Sequence, residues 1–338
     1  MTLSSTLQAS AYSGRDAWDR DVARIIGPQY WAVAHLDQVP EAGDVVTFCI
    51  ASFTLLVVRQ RDGSVRVFHN TCRHRAGPLL WPGDDARGLS QLQCRYHGWC
   101  YNIDGSLRAT PMFGAQPEID GLIEVSAHVW RGLVFARAAG PLEGPRPAIL
   151  DALESQFSDI DLGNMQVERQ VSHKLACDWK VYVENYLEGY HIPWVHPGLA
   201  REVALRDYRV EVHHAGLMVS HHVNARKADA VNAGRWVWAW PGLAVNVYAH
   251  GVCIERMVPD GPGSTRVDYL YLFAPEVGPE ARTRAMEMST EVTAEDVRIV
   301  EAVQRNLSGG AVPQGVLSPR HESGVAAFQS LCRQAWSR

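Results

Sequence analysis

Four residues in two short stretches carry the first recognisable chemistry. TCRHRAGPLL places Cys72 and His74 on one stretch, and QCRYHGWCY places Cys94 and His97 on another, with nineteen residues between the two pairs. Two Cys and two His can hold tetrahedral zinc, but zinc ribbons and fingers usually keep like ligands together. Here each stretch supplies one thiolate and one imidazole. That division suits a [2Fe–2S] cluster in which one iron takes two Cys and the other two His. Neutral imidazoles in place of two anionic thiolates leave such a cluster less negative and raise its reduction potential. Zinc, and a chance scatter of four residues in loops, are the competing readings. Cys100 finds no ligand position left and reads as a packed thiol.

The neighbours of these residues sharpen the choice. Arg75-Ala76-Gly77-Pro78 follows the first pair, and Tyr96 and Gly98-Trp99 surround the second. Over residues 31–138 the chain resembles the Rieske family, and the resemblance implies that these loops cover a Rieske cluster.

A second constellation lies in ENYLEGYHIPWVH, residues 184–196. Beside a Rieske module, its histidines have a specific candidate meaning. Non-heme Fe(II) oxygenases hold iron with two His and one carboxylate on one face, leaving positions open for O₂. His191 and His196 supply two imidazoles. Their spacing of five does not align on one straight helix, and Pro193 is expected to end the helix after His191 so that His196 returns from the next turn. The third ligand is sought in EVTAEDVRIVEAVQRNL, residues 291–307, where Val292, Asp296, Val300, Val303 and Leu307 form one stripe at helical spacing. A carboxylate on a buried stripe needs compensation, which a metal provides. Asp296 is therefore the expected third ligand and Glu295 the alternative; a solvated helix acid is the competing reading.

Two kinds of scaffold must position these groups. From 31 to 138 the chain reads as strands and turns: VVTFCI, FTLLVVRQ and VRVFHN are rich in β-branched and aromatic residues, and Asp62-Gly63 and Asp104-Gly105 are hairpin signals. AGPLEGPRP (139–147) reads as a linker. Beyond it, 178–190 reads as helix, 208–223, 235–256 and 266–274 as strands, and 278–307 as a long helix, an α+β arrangement of helices on an antiparallel sheet. Trp236, Trp238 and Trp240 alternate on one strand and so share a face. Such a stripe packs a core, or else faces a cavity and holds an arene or a cation. Asn246, Tyr248 and His250 alternate likewise and are candidate polar pocket groups. The pairs His213-His214 and His221-His222 split between two faces of a strand and read as satisfied or exposed.

Bulk properties limit the partners. The 338-residue length suggests two domains. With 32 Lys and Arg against 37 Asp and Glu, the formal charge is −5 and no basic run appears, so neither nucleic acid nor an anionic membrane is expected. The N-terminal residues lack a cationic head followed by an apolar run, and the default compartment is the cytoplasm. Seven cysteines in so long a chain are not a disulfide scaffold.

Across almost its whole length the chain resembles the α subunit of the Rieske non-heme iron oxygenases. Glu188-x-x-His191-x-x-x-x-His196 fits their iron motif, and Asp178-Trp179-Lys180, Glu184-Asn185 and Pro197-Gly198 look like its flanks. The resemblance implies an all-β Rieske domain at 31–138 and a helix-grip (START-like) catalytic domain from 1–30 and 139–338. It implies a homotrimer in which Glu188 carries electrons between His191 and the neighbouring subunit's Rieske histidine, His97. Most ring-hydroxylating members have Asp there; Glu is similar to the branch that oxidises choline, glycine betaine, carnitine and stachydrine. The expected activity uses O₂ and electrons from NAD(P)H, delivered by a separate flavin or iron–sulfur reductase with or without a ferredoxin. It would C-hydroxylate or oxidatively N-demethylate a small nitrogen-containing substrate. N-oxygenation of an amine and ring hydroxylation of an arene are the alternatives. A non-catalytic electron carrier with a ligand-binding domain would need the β module but not His191, His196 and Asp296.

Overall fold

The structure, a computed structural model, describes residues 4–115, 117–226, 233–248 and 251–338. The chain divides into two compact units, Ile26–Arg146 and a second made of Pro147–Arg338 with the N-terminal residues up to Ile25. Helix α1 (Arg15–Asp21) belongs to the second unit.

The first unit is all β. Strands β1 (Trp31–His35), β2 (Val45–Ile50), β3 (Phe53–Arg59), β4 (Val65–His69), β5 (Asp85–Ala86), β6 (Gln91–Gln93), β7 (Cys100–Asn102), β8 (Leu107–Ala109), β9 (Glu124–Val125), β10 (Ala127–Trp130) and β11 (Leu133–Ala136) form three antiparallel sheets, ordered β1-β11-β10, β5-β2-β3-β4-β9 and β6-β7-β8. The Asp62-Gly63 and Asp104-Gly105 turns close the β3–β4 and β7–β8 hairpins. In each, the Asp side chain accepts from the backbone N–H two residues on, at 2.9 Å. Leu56, Val58, Phe68, Leu92 and Tyr101 fill the core beneath Cys72 and Cys94.

The second unit sets helices on one face of a seven-stranded antiparallel sheet. Helix α2 (Ala148–Gln156) leads to β12 (Gln166–Leu175). Next come α3 (Trp179–Tyr186), α4 (Ile192–Val195) and α5 (Pro197–Glu202). Strands β13 (Arg209–His213), β14 (Met218–Val223), β15 (Gly234–Ala239), β16 (Leu243–Tyr248), β17 (Gly251–Gly261) and β18 (Ser264–Phe273) then run as a meander, with β12 docked beyond β18. Helices α6 (Pro279–Ser308) and α7 (Ser323–Trp336) close the unit. The face of the sheet carrying Trp238, Ala244, Cys253, Met257 and Tyr269 packs with Trp179 and Val183 of α3, Val300 of α6 and Phe328 of α7 in one core. No helix among the described residues is long and apolar enough to cross a membrane.

The 30-residue α6 begins with Pro279 in its first turn, where a missing N–H costs nothing. Its buried residues are Thr293, Asp296, Val300 and Gln304, a spacing of three, four and four. The buried face is thus rotated from the expected stripe towards Thr293 and Gln304, which leaves Val303 39% exposed.

Candidate functional site

In the first unit, two matched tight turns present the cysteines and histidines. Ala76 N–H donates to Cys72 O (3.0 Å) and Cys72 N–H to Gly77 O (2.9 Å). In the second turn Gly98 N–H donates to Cys94 O (3.1 Å) and Cys94 N–H to Trp99 O (2.8 Å). Arg95 N–H reaches Pro78 O at 2.8 Å and ties the turns together. Gly77 is required by this approach: a Cβ there would lie 2.9 Å from Cys94 Sγ and 2.8 Å from Tyr96 Cβ. Tyr101 Oη lies 3.1 Å from Cys72 Sγ, and Tyr96 N–H points at Cys94 Sγ at 3.4 Å.

Both thiols are buried, and burial raises the Cys72 pKa in the absence of a bound cation. The His74 and His97 rings lie 4.6 Å apart, and His74 stacks on Trp99 at 4.9 Å. His74 Nδ1 is buried without a hydrogen-bond partner. A buried orphan nitrogen is costly unless something binds it, so the donor set fits a [2Fe–2S] cluster held by two thiolates and two imidazoles. Cys100 is buried and its Sγ meets Gly98 O at 3.2 Å, a packed thiol.

In the second unit, α3 is anchored before it reaches the second site. Asp178 caps it, accepting from Lys180 N–H at 3.0 Å. Lys180 is fully buried between Asp178 (2.7 Å) and Asp21, which also accepts from the indoles of Trp179 (3.2 Å) and Trp336 (2.8 Å). The helix stops at Tyr186, not after His191. Glu188 takes over the next backbone donors through its Oε2, accepting from His191 N–H (3.1 Å) and Tyr190 N–H. Gly189 lets Tyr208 lie against this turn, since a Cβ would come within 2.7 Å of its hydroxyl. Pro193 therefore starts a helix and does not end one. It sits in the first turn of α4, His191 is the residue before that helix, and His196 falls between α4 and α5.

These turns bring His191 and His196 to Asp296 of α6. One ligand atom from each lies within 4.8 Å of the others. Asp296 Oδ1 is 3.0 Å from His196 Nε2 and 3.9 Å from His191 Nε2. The opposite ring nitrogens are each held by a second carboxylate: His191 Nδ1 by Glu188 Oε1 at 2.5 Å, and His196 Nδ1 by Glu295 Oε2 at 2.7 Å. Such partners fix the tautomer and leave Nε2 available to a metal. Asn185 Nδ2 donates to Asp296 at 2.7 Å. Two imidazoles and a carboxylate converging from one side fit a mononuclear iron. Glu295, the alternative to Asp296 as ligand, instead orients His196.

The three residues form part of the wall of a cavity of about 90 Å³. Tyr182, Tyr186, Trp236, Asn246, Tyr248 and Glu255 are among its other walls. Trp236 pairs with Asn246 across β15–β16, and Glu255 with Tyr269 across β17–β18, so all four share the helix-facing side of the sheet. Trp238 shares that side but not the cavity. It is fully buried, 5.7 Å from the Phe328 ring, because α7 covers this part of the strand. His250 lies outside the described residues. Of the paired histidines, His213 meets Ser220 Oγ at 2.7 Å and His222 is partly exposed near Glu211. His221 is buried behind Trp236 and Tyr186, and burial pushes its pKa down to about 3.

Glu255 escaped the sequence reading. It sits on a strand of apolar residues, 4% exposed, and its carboxylate accepts from Tyr182 Oη (2.8 Å), Tyr269 Oη (3.3 Å) and Asn246 Nδ2 (3.4 Å). Burial raises its pKa to about 7, Asp296 adds to the rise, and the three hydrogen bonds oppose it. The available signal was its position in Cys253-Ile254-Glu255-Arg256-Met257, an acid in step with the inward residues 253 and 257.

A cysteine–histidine cluster module followed by a two-histidine, one-carboxylate site on a helix-covered sheet defines a Rieske-type non-heme iron oxygenase. Residues 29–120 match the Rieske [2Fe-2S] domain family, and residues 162–234 and 219–337 match the ring hydroxylating alpha subunit (catalytic domain) family. The chain belongs to the ring-hydroxylating oxygenase α-subunit family. It is 30% identical to putrescine 2-hydroxylase of Ralstonia nicotianae (strain ATCC BAA-1114 / GMI1000), over 84% of this chain and 83% of that protein. It is 28% identical to the chloroplastic choline monooxygenase of Arabidopsis thaliana, over 92% and 78%. To the carnitine monooxygenase oxygenase subunit of Escherichia coli (strain K12) it is 25% identical, over 98% and 94%. Its fold superposes on the quaternary ammonium Rieske monooxygenase CntA with a TM-score of 0.86 at 23% identity, covering 98% and 96% of the two chains. The protein is thus an oxygenase terminal component whose cofactors are a Rieske cluster and a mononuclear iron.

Proposed function

We propose that the protein oxygenates a small nitrogen-containing substrate, by C-hydroxylation or oxidative N-demethylation, with electrons drawn from NAD(P)H through a separate reductase. The observation carrying this reading is the cavity, in which the Nε2 atoms of His191 and His196 and the Asp296 carboxylate meet a wall of Trp236, Tyr186, Tyr248 and Asn246. Relatives named for choline, carnitine and putrescine, all nitrogen cations, support the substrate class.

In this reading Cys72, His74, Cys94 and His97 hold the cluster, and His191, His196 and Asp296 hold the iron. When bound, the cluster would supply single electrons and the iron would supply O₂ activation. The chain's own residues do the rest. Glu188 and Glu295 orient the two imidazoles, and the aromatic wall excludes bulk water and positions the target carbon. Glu188 also bridges His191 to His97 of the partner subunit in a homotrimer, a role supported by its grip on His191 Nδ1 and by the exposure of His97. CntA, described with inter-subunit electron transfer, is a precedent of similar fold.

The test combines the protein with a reductase, NADH and panels of methylated amines, free amines and arenes. Formaldehyde release or a hydroxylated amine is the expected outcome. Turnover of arenes alone would overturn the substrate class, and a nitro or hydroxylamine product would replace C–H oxygenation by N-oxygenation.

A further inference from the structure

Glu255 is the charge in the cavity that neither metal site uses. The described lining holds three carboxylates, Glu188, Asp296 and Glu255, and no Lys or Arg. Glu188 is committed to His191, and Asp296 faces both imidazoles. Glu255 makes no ion pair among the described residues, and its partners are two phenols and an amide, all neutral. An ionised buried carboxylate without a cation is expensive, and this one lines the cavity.

Its hydrogen bonding shows which group it can still take. A carboxylate has about four acceptor positions. Tyr182 and Tyr269 fill those of Oε1, and Asn246 takes one on Oε2 through a long 3.4 Å contact. Asn246 is itself held in that orientation, its Oδ1 accepting from Tyr186 Oη at 2.6 Å. One acceptor position on Oε2 remains. A hydroxyl or amide would satisfy it, and a cation with an N–H would in addition compensate the charge of the ionised form, which burial alone disfavours. A fixed-charge quaternary nitrogen has no hydrogen to offer. The rings of Tyr186, Tyr248 and Trp236 would stabilise the cation's alkyl face.

We propose that Glu255 is the anchor for the substrate's ammonium group, so that the cavity selects small amines carrying at least one N–H over quaternary ammonium ions and neutral alcohols. The assignment rests on the proposed function and narrows its substrate class. Anchored at Glu255 on the sheet side, the amine places a carbon of its chain towards the His191–His196–Asp296 side of the cavity.

Calorimetric titration of the metal-loaded oxygenase with n-butylammonium, n-butyltrimethylammonium and n-butanol tests this. Wild type should bind n-butylammonium at least about tenfold more tightly than either of the others. Glu255→Gln should lose that preference, binding n-butylammonium about tenfold more weakly and n-butanol unchanged, with iron content and visible spectrum as in wild type. Equal binding of the ammonium by Glu255→Gln, a wild-type preference for the quaternary ion, or no ammonium binding at all would each overturn the proposal. If Glu255→Gln fails to load iron, the wild-type comparison of the three probes decides alone. A failed anchor with product still formed from the amine panel leaves the proposed function standing, which separates the two.

Discussion

Each imidazole at the iron site is gripped at Nδ1 by a carboxylate from a different element, Glu188 from the turn before it and Glu295 from α6. The two grips have different consequences. Glu295 neighbours Asp296 on the same helix turn, so it locks His196 to the element that carries Asp296. Glu188 holds its own turn through two backbone N–H groups and reaches His191 with its other oxygen. On the proposed function, removing it should leave His191, His196 and Asp296 in place but break the route for electrons. Glu188→Ala is expected to retain both metal centres and to lose turnover by about ten- to a hundredfold, the scale on which such outer partners act. Single-turnover spectroscopy checks it: the reduced cluster in the variant should fail to reoxidise with substrate and O₂. Normal reoxidation would remove Glu188 from the route.

At the scale of elements, α3 is what delivers the histidine turn, and its position depends on a buried charge triad. Lys180 sits fully enclosed between Asp21 of α1 and Asp178 of its own cap. Lys180→Ala would strand two buried carboxylates, a change that costs about 3–5 kcal/mol; urea unfolding of the apoprotein should show a loss of that size. Glu184, two residues before the end of α3, clips the N-terminal segment to α7 by accepting from Tyr12 Oη (2.7 Å) and Gln329 Nε2 (3.0 Å). Burial raises its pKa to about 7 from an ordinary 4.5. A raised carboxyl favours the protonated fold, so its contribution is present in full below about pH 4.5 and is lost as pH rises through about 7. Glu184→Gln, which stays neutral, should match wild type in melting temperature at pH 4.5 and exceed it at pH 8. The same difference at both pH values would show that the fold does not raise the Glu184 pKa.

The same elements show what was legible in the sequence. The cluster turns could be read because each pair of ligands lies within one short loop, where spacing alone carries the geometry. The long α6 and the candidate ligand Asp296 were visible because one buried acid interrupts an apolar period. Pro193 misled because proline both ends helices and begins them, and the local sequence does not say which. Alternation put Trp236 and Trp238 on one face, but what covers that face depends on α7, almost ninety residues later. Glu255 was hidden for a related reason: an acid next to Arg256 on a strand looks like a solvent-facing residue until the neighbouring strands show that its face is inward.

For the molecule as a whole, two units of different architecture share one chain, a β module that stores electrons and a helix-covered sheet that holds a substrate cavity. The central claim is that both metal centres reside on this chain and that His191, His196 and Asp296 hold the second. Iron and acid-labile sulfide analysis of the purified protein and of His191→Ala tests it most directly. Wild type is expected to contain about three iron atoms and two sulfides per chain, and His191→Ala about two of each, with the cluster spectrum intact. A wild type with only two irons, or a His191→Ala protein that keeps the third, would contradict it.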